Sequence, residues 1–151
     1  MDHHPETQIL HAIGRMVGID GLSFDGDGFC ALELGDEIPV ALRNDAPNHR
    51  VLILAEAGRA VEPDAGVLGS IAAWNMQRAS QPCPWLAWDE EGSRLVLGEE
   101  IAHGETTGMA ERKFEAFMES LLGCRGFLEG GEVPAAPAEH QAAAGDWLRR
   151  C

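Results

Sequence analysis

The stretch Arg50–Gly58, RVLILAEAG, decides how this chain folds. It reads as a β-strand, yet Val51, Leu52, Ile53, Leu54 and Ala55 put apolar atoms on both of its faces. In a sheet built from hairpins one face usually meets water and alternates with polar residues, so the second apolar face needs a cover. Either the helices of this chain supply it, and every such residue is plain core, or a partner does.

Working outward, Phe29–Leu34 and Pro39–Arg43 are two further strands, set off by the turn signals GDE and NDAPN. With the strand Arg50–Glu56 they make an antiparallel meander, because the connections are short. Ahead of it, Ile9, Leu10, Ile13, Met16 and Val17 recur at helical spacing over Thr7–Gly18, and the Gly- and Asp-rich GIDGLSFDGDG follows as a loop. Beyond the meander, GRAVEPDAG leads into a helix over Val67–Arg78, which Pro82 and Pro84 prevent from extending. A hairpin, Trp85–Asp89 and Arg94–Gly98 joined by EEGS, precedes the longest helix, Thr107–Glu129, whose stripe runs Ala110, Phe114, Phe117, Met118, Leu121, Leu122. The pattern predicts an α+β fold, α-β-β-β-α-β-β-α, with a twisted antiparallel sheet packed by helices. Residues 1–130 form one domain, and the Ala- and Pro-rich 131–151 is expected to be a mobile tail in which Trp147 and Leu148 either dock back or stay in solvent.

Composition narrows the function. With 45% hydrophobic and 24% charged residues, the 151-residue chain has the make-up of a globular protein. A formal charge of -14 with no basic stripe repels phosphate backbones and anionic lipid, so neither nucleic acid nor membrane is expected as a partner; a basic partner is favoured instead. The start MDHHPE has neither the basic nor the apolar region of a secretory signal, and the expected location is cytoplasmic. Cys30, Cys83, Cys124 and Cys151 form no CxxC pair, and Cys30 and Cys124 are expected to pack as small hydrophobes.

Catalytic patterns do not assemble. Asp25, Asp27 and Gly28 resemble part of a calcium loop, but the closing Glu position would fall on Leu34 and a strand follows where a helix should, so turn chemistry is the better reading. Gly26, Gly28 and Ala31 fit GxGxxA in the wrong order of strand and helix. Ser70 lacks a GxSxG elbow, and His3, His4, His11, His49, His103 and His140 lack metal-ligand spacing. The chain is therefore expected not to be an enzyme, with no metal and no cofactor. The aromatics point elsewhere: Trp85 and Trp88 lie on opposite sides of one short strand, with Trp74 on a nearby helix, and this region is read as a dimer contact.

The segments FCALELGDEIPVALRN and RVLILAEAG, the helix VLGSIAAWNM, and WLAWDEEGSRLVLGEEI before MAERKFEAFMESLL together resemble the class I type III secretion chaperones, the Tir chaperone family. That resemblance covers nearly the whole chain to Gly130. It implies a homodimer, without enzymatic activity or cofactor, that binds the N-terminal chaperone-binding region of a secreted effector in extended form, keeps it soluble and secretion-competent, and helps deliver it to the export ATPase. It also implies a dimer interface at Leu68, Ile71, Trp74, Trp85 and Trp88, and cargo grooves at Ile9, Ile13, Met16, Val17, Leu32, Val51 and Ile53. An alternative keeps the fold but makes it a regulator that binds an anti-activator or another chaperone, coupling secretion to transcription.

Overall fold

The computed structural model describes residues 4–35, 37–59 and 63–125. The expected tail 131–151 and the end of the last predicted helix lie outside these residues. The elements are α1 (Pro5–Val17), β1 (Phe29–Leu34), β2 (Ile38–Asp45), a 3-10 turn (Ala46–Asn48), β3 (Arg50–Arg59), α2 (Ala65–Gln77), β4 (Trp85–Asp89), β5 (Arg94–Ala102) and α3 (Thr107–Cys124). The strands hydrogen-bond in the order β1-β2-β3-β5-β4. The described residues form two compact units: α1, β1, β2 and β3 to Ala55 with Gly98–Phe117 make the first, and β3 from Glu56, α2, β4, β5 to Leu97 and α3 from Met118 make the second.

In the first unit, α1 begins earlier than its apolar spacing suggests because Pro5 occupies its first turn, where a missing N–H costs nothing. It ends at Gly18, whose φ of 70° is the left-handed cap that glycine adopts without strain. The chain then turns back so tightly that Ile19 donates to the Gly14 carbonyl at 2.9 Å, and a Cβ on Gly14 would stand 2.5 Å from the Ile19 oxygen. Along the meander, burial alternates through β1 and through β2 as far as Arg43. Cys30, Leu32, Leu34, Ile38, Val40 and Leu42 turn inward with Val51, Ile53 and Ala55 of β3. Ile9, Leu10 and Ile13 of α1 and the stacked pair Phe114 and Phe117 of α3, 6.3 Å between centroids, are buried as well. Ion pairs tie the margins: Arg15 to Glu111 at 2.9 Å, Lys113 to Glu105 at 2.6 Å, and Arg50 to Glu100 at 2.6 Å.

Three strands, β2, β3 and β5, run longer than their apolar runs predict. β5 continues through Glu99, which is only 4% exposed and whose carboxylate accepts the Glu100 N–H at 2.9 Å. The polar pair Glu99–Glu100 thus hides a strand that Ile101, fully buried, completes. Two hairpins carry the same staple, an Asp at the end of one strand bonded to the Arg five residues on. Asp45 accepts from Arg50 Nε at 2.8 Å, and Asp89 accepts from Arg94 Nε at 2.7 Å.

In the second unit, Asp64 caps α2 by accepting the Val67 N–H at 2.8 Å, which starts the helix two residues before the predicted Val67. The helix is pinned to β4 by side chains: the Trp74 indole donates to the Pro84 carbonyl at 2.7 Å, and Arg78 donates to the Cys83 carbonyl. Asn75 does more. Its amide donates to the Leu86 carbonyl at 2.7 Å and accepts the Leu86 N–H at 2.9 Å, so one side chain occupies the place a further strand would take at the sheet's terminal strand.

Hydrogen bonds from Arg50, then Asn48, hold the Asp45 carboxyl below its ordinary 3.8, and bonds from Arg94, then the Gly92 N–H, do the same for Asp89. A lowered folded-state value contributes stability that is complete above the unfolded value and lost as pH falls through the folded one. The urea midpoint is therefore expected to fall below about pH 4, and less steeply in the Asp45→Asn/Asp89→Asn double variant. Asn75→Ala strips both partners from the backbone of Leu86, which is 2% exposed. It is expected to cost about 1–3 kcal/mol in urea unfolding and to speed hydrogen exchange at the Leu86 amide.

Candidate functional site

The meander's outer face supplies the apolar surface that RVLILAEAG foreshadows. Antiparallel register sets Phe29 opposite Arg43 and Arg43 opposite Leu52 in one row, and Ala31 opposite Ala41 and Ala41 opposite Leu54 in the next. Phe29 is 44% exposed, Ala31 and Ala41 are exposed, and Leu52 and Leu54 are half-buried. The Arg43 guanidinium stands over the Phe29 ring, 5.5 Å from its centroid. Cross-strand neighbours on one face lie about 4.5–5.5 Å apart, so these residues form a continuous patch rather than scattered exposures.

β1 is the terminal strand at this end of the sheet. Asn44 donates to the Gly28 carbonyl at 2.8 Å, which fixes the phase of the ladder: Cys30, Leu32 and Leu34 bond toward β2, while Phe29, Ala31 and Glu33 turn their N–H and C=O groups outward. Asp25 engages the first of these, its carboxylate accepting the Phe29 N–H at 2.8 Å and its own N–H donating to the Phe29 carbonyl at 2.8 Å. This is the turn role expected of the DGDG loop. Beside α1, an open hollow of about 260 Å³ is lined by Leu10, His11, Arg15, Ile19, Asp20, Gly21 and Leu22. It is smaller than an ordinary small-molecule site and of the size of one or two peptide side chains.

The expected cargo positions divide sharply. Ile9, Ile13, Leu32, Val51 and Ile53 are at most 5% exposed, so they are core side chains of this chain. Truncating one to Ala would cost about 2–5 kcal/mol of stability. Met16, 41% exposed, and Val17, half-buried, remain on the surface of α1. The outer-face residues that sequence reading missed carry a legible phase: Phe29 and Ala31 share parity with the polar Glu33, and Ala41 with Arg43.

The expected dimer positions divide too. Ile71 and Trp74 are buried within the second unit, Trp85 and Trp88 are half-buried, and Leu68 is 47% exposed. Leu68, Ala72 and Met76, at i, i+4 and i+8, form an exposed apolar stripe on α2, with Met76 55% exposed. Burial pushes the Cys124 thiol up to about 11 and also raises that of Cys30, so both are poor nucleophiles. Among the described residues no group of three His, Cys, Asp or Glu is placed to hold a metal ion, and no helix is long and apolar enough to cross a membrane.

No curated protein matches the sequence significantly. Solved structures share the fold. The HopA1–SchA chaperone–effector complex matches with a TM-score of 0.66 at 19% identity, covering 80% of this chain and 93% of that one. The ExsC–ExsE complex matches with a TM-score of 0.66 at 19% identity, covering 91% of this chain and 100% of that one. The ExoT–SpcS complex from Pseudomonas aeruginosa matches with a TM-score of 0.53 at 14% identity, covering 80% of this chain and 96% of that one. The model of the Tir chaperone protein (CesT) family matches residues 8–125, and the chain belongs to that family.

Proposed function

We propose that this chain is a type III secretion chaperone that binds the N-terminal chaperone-binding region of an effector in extended form and keeps it soluble and competent for export. The observation that carries the reading is the apolar outer face of the meander, Phe29, Ala31, Ala41, Leu52 and Leu54, lying beside the outward backbone groups of Ala31 and Glu33. An extended segment can meet both at once, its backbone continuing the ladder and its alternate side chains settling on the face. The hollow beside α1 and exposed Met16 offer a second place for a side chain of the same ligand. Membership of a chaperone family supports the reading, as does the shared fold of a chaperone described in complex with its effector. Handing the cargo to the export ATPase belongs to the same role.

The working form is a homodimer joined through α2 and β4. A helix that is apolar all round needs cover on every side, and here Leu68, Ala72 and Met76 face outward.

The cargo assignment is tested with the tagged full chain as bait in its native lysate, followed by limited proteolysis of what elutes. Wild type is expected to retain one larger protein through its N-terminal segment, and Ala31→Glu/Ala41→Glu to lose it at unchanged melting temperature. Equal capture by the variant removes the open face from the function. The dimer has its own readout: light scattering is expected to give twice the chain mass, and Leu68→Glu/Met76→Glu the mass of one chain. A monomeric wild type overturns it.

A further inference from the structure

Cations are scarce in this chain, 11 Lys and Arg against 25 Asp and Glu, and most described ones are committed to a carboxylate. Arg15 holds Glu111, Arg50 holds Asp45 and Glu100, Arg59 holds Glu56, Arg94 holds Asp89, and Lys113 holds Glu105. Arg43 differs. Among the described residues no carboxylate lies within ion-pair distance of it, and its contact with the Phe29 ring, 5.5 Å from the centroid, supplies no oxygen acceptor for its N–H groups. Asp45, two residues along on the same side of β2, senses the Arg43 charge but is occupied by three hydrogen bonds, one from Arg50 and two from Asn48. A planar fork of donors therefore sits in the middle of an apolar row, flanked by Phe29 and Leu52 and exposed to whatever lies on the face.

We propose that Arg43 determines specificity on this face by selecting an extended segment that carries a carboxylate side chain, with a large apolar side chain two residues away. The inference rests on the cargo reading above and adds the chemistry of the cargo to it. A carboxylate pairs with the guanidinium through two parallel N–H···O bonds, a geometry that lysine cannot reproduce and that surrounding apolar atoms strengthen by excluding water. Alternate residues of an extended segment are about 6.6 Å apart, the same spacing as the rows of the sheet. When the acid meets Arg43 in the first row, the residue two along lies over the second. There Ala31 and Ala41 form a low floor beside Leu54, with room for a bulky apolar group. The net charge of -14 favours basic ligands at long range, so an acidic preference here is a local reversal of the field.

The test uses the labelled full-length chain on an array of synthetic 13-residue peptides with alternating apolar residues. Matched members carry Asp, Asn or Lys at the central position and Leu or Phe two residues on. Wild type is expected to hold Asp peptides about fivefold more tightly than their Lys partners, a ratio that shrinks with added salt. Arg43→Gln is expected to bring the ratio to about one, and Arg43→Glu to invert it, as direct charge pairing requires. Both variants change an exposed side chain, and a thermal melt confirms that they fold. If peptides bind but the Asp-to-Lys ratio is the same in wild type and Arg43→Glu, the inference fails and the cargo face stands. If wild type holds no peptide, or Ala31→Glu binds every peptide as wild type does, the inference and the cargo face fall together.

Discussion

The structure depends on a mismatch within β3. Val51, Ile53, Ala55 and Ala57 turn one way and are buried, whereas Leu52 and Leu54 turn the other way and are covered only in part. The buried side belongs to an ordinary core, with Ile9, Leu10 and Ile13 of α1 and Phe114 and Phe117 of α3 all at most 3% exposed. Each such side chain contributes roughly 1.5–3 kcal/mol on burial, enough for the fold to stand on one face of its sheet. The other face is then surplus to folding. Apolar surface retained outside the core, on a chain with a formal charge of -14, is surface available for binding.

What the sheet lacks in cover it makes up in polar ties placed at its margins. The Asp-to-Arg staples close two hairpins, and Asp25 and Asn75 each supply hydrogen bonds to the backbone of a terminal strand. The two terminal strands are treated differently. On β4, Asn75 takes both backbone groups of Leu86, which discourages pairing there, while Asp25 takes only those of Phe29 at the start of β1. Terminal strands invite unwanted pairing, and the open groups of Ala31 and Glu33 are the ones that the strand proposed above would meet.

Most of the fold was legible because the hydrophobic period carries it: the eight regular elements appear in the expected order, and β1 and β4 have the expected bounds. The extension of β5 was hidden by Glu99 and Glu100, since a buried acid is invisible to a reading that sorts residues by polarity. The positions expected to bind cargo directly illustrate a deeper limit. Ile13, Val51 and Ile53 are conspicuous because they are apolar, and that property is what draws them into the core. Alternation tells which residues share a face, but which face a helix covers is settled by packing between distant segments. The modest Ala31, Ala41 and Arg43 line the open side, and only the phase set by Glu33 and Arg43 marks them in the sequence.

The second unit carries the same logic further. α2 buries Ile71 and Trp74 and hydrogen-bonds β4 through Trp74, Asn75 and Arg78, yet Leu68, Ala72 and Met76 stay exposed along its other side. Thirteen residues are marginal for an isolated helix, and Gly66 and Gly69 weaken this one further. Its persistence therefore depends on side-chain packing, of which its own chain supplies one side. In the proposed dimer the partner supplies the other, so that association adds stability to the element that mediates it, and the melting temperature of the unit rises with protein concentration. A chaperone arranged in this way would reserve one apolar surface for its twin and one for its cargo, on separate elements.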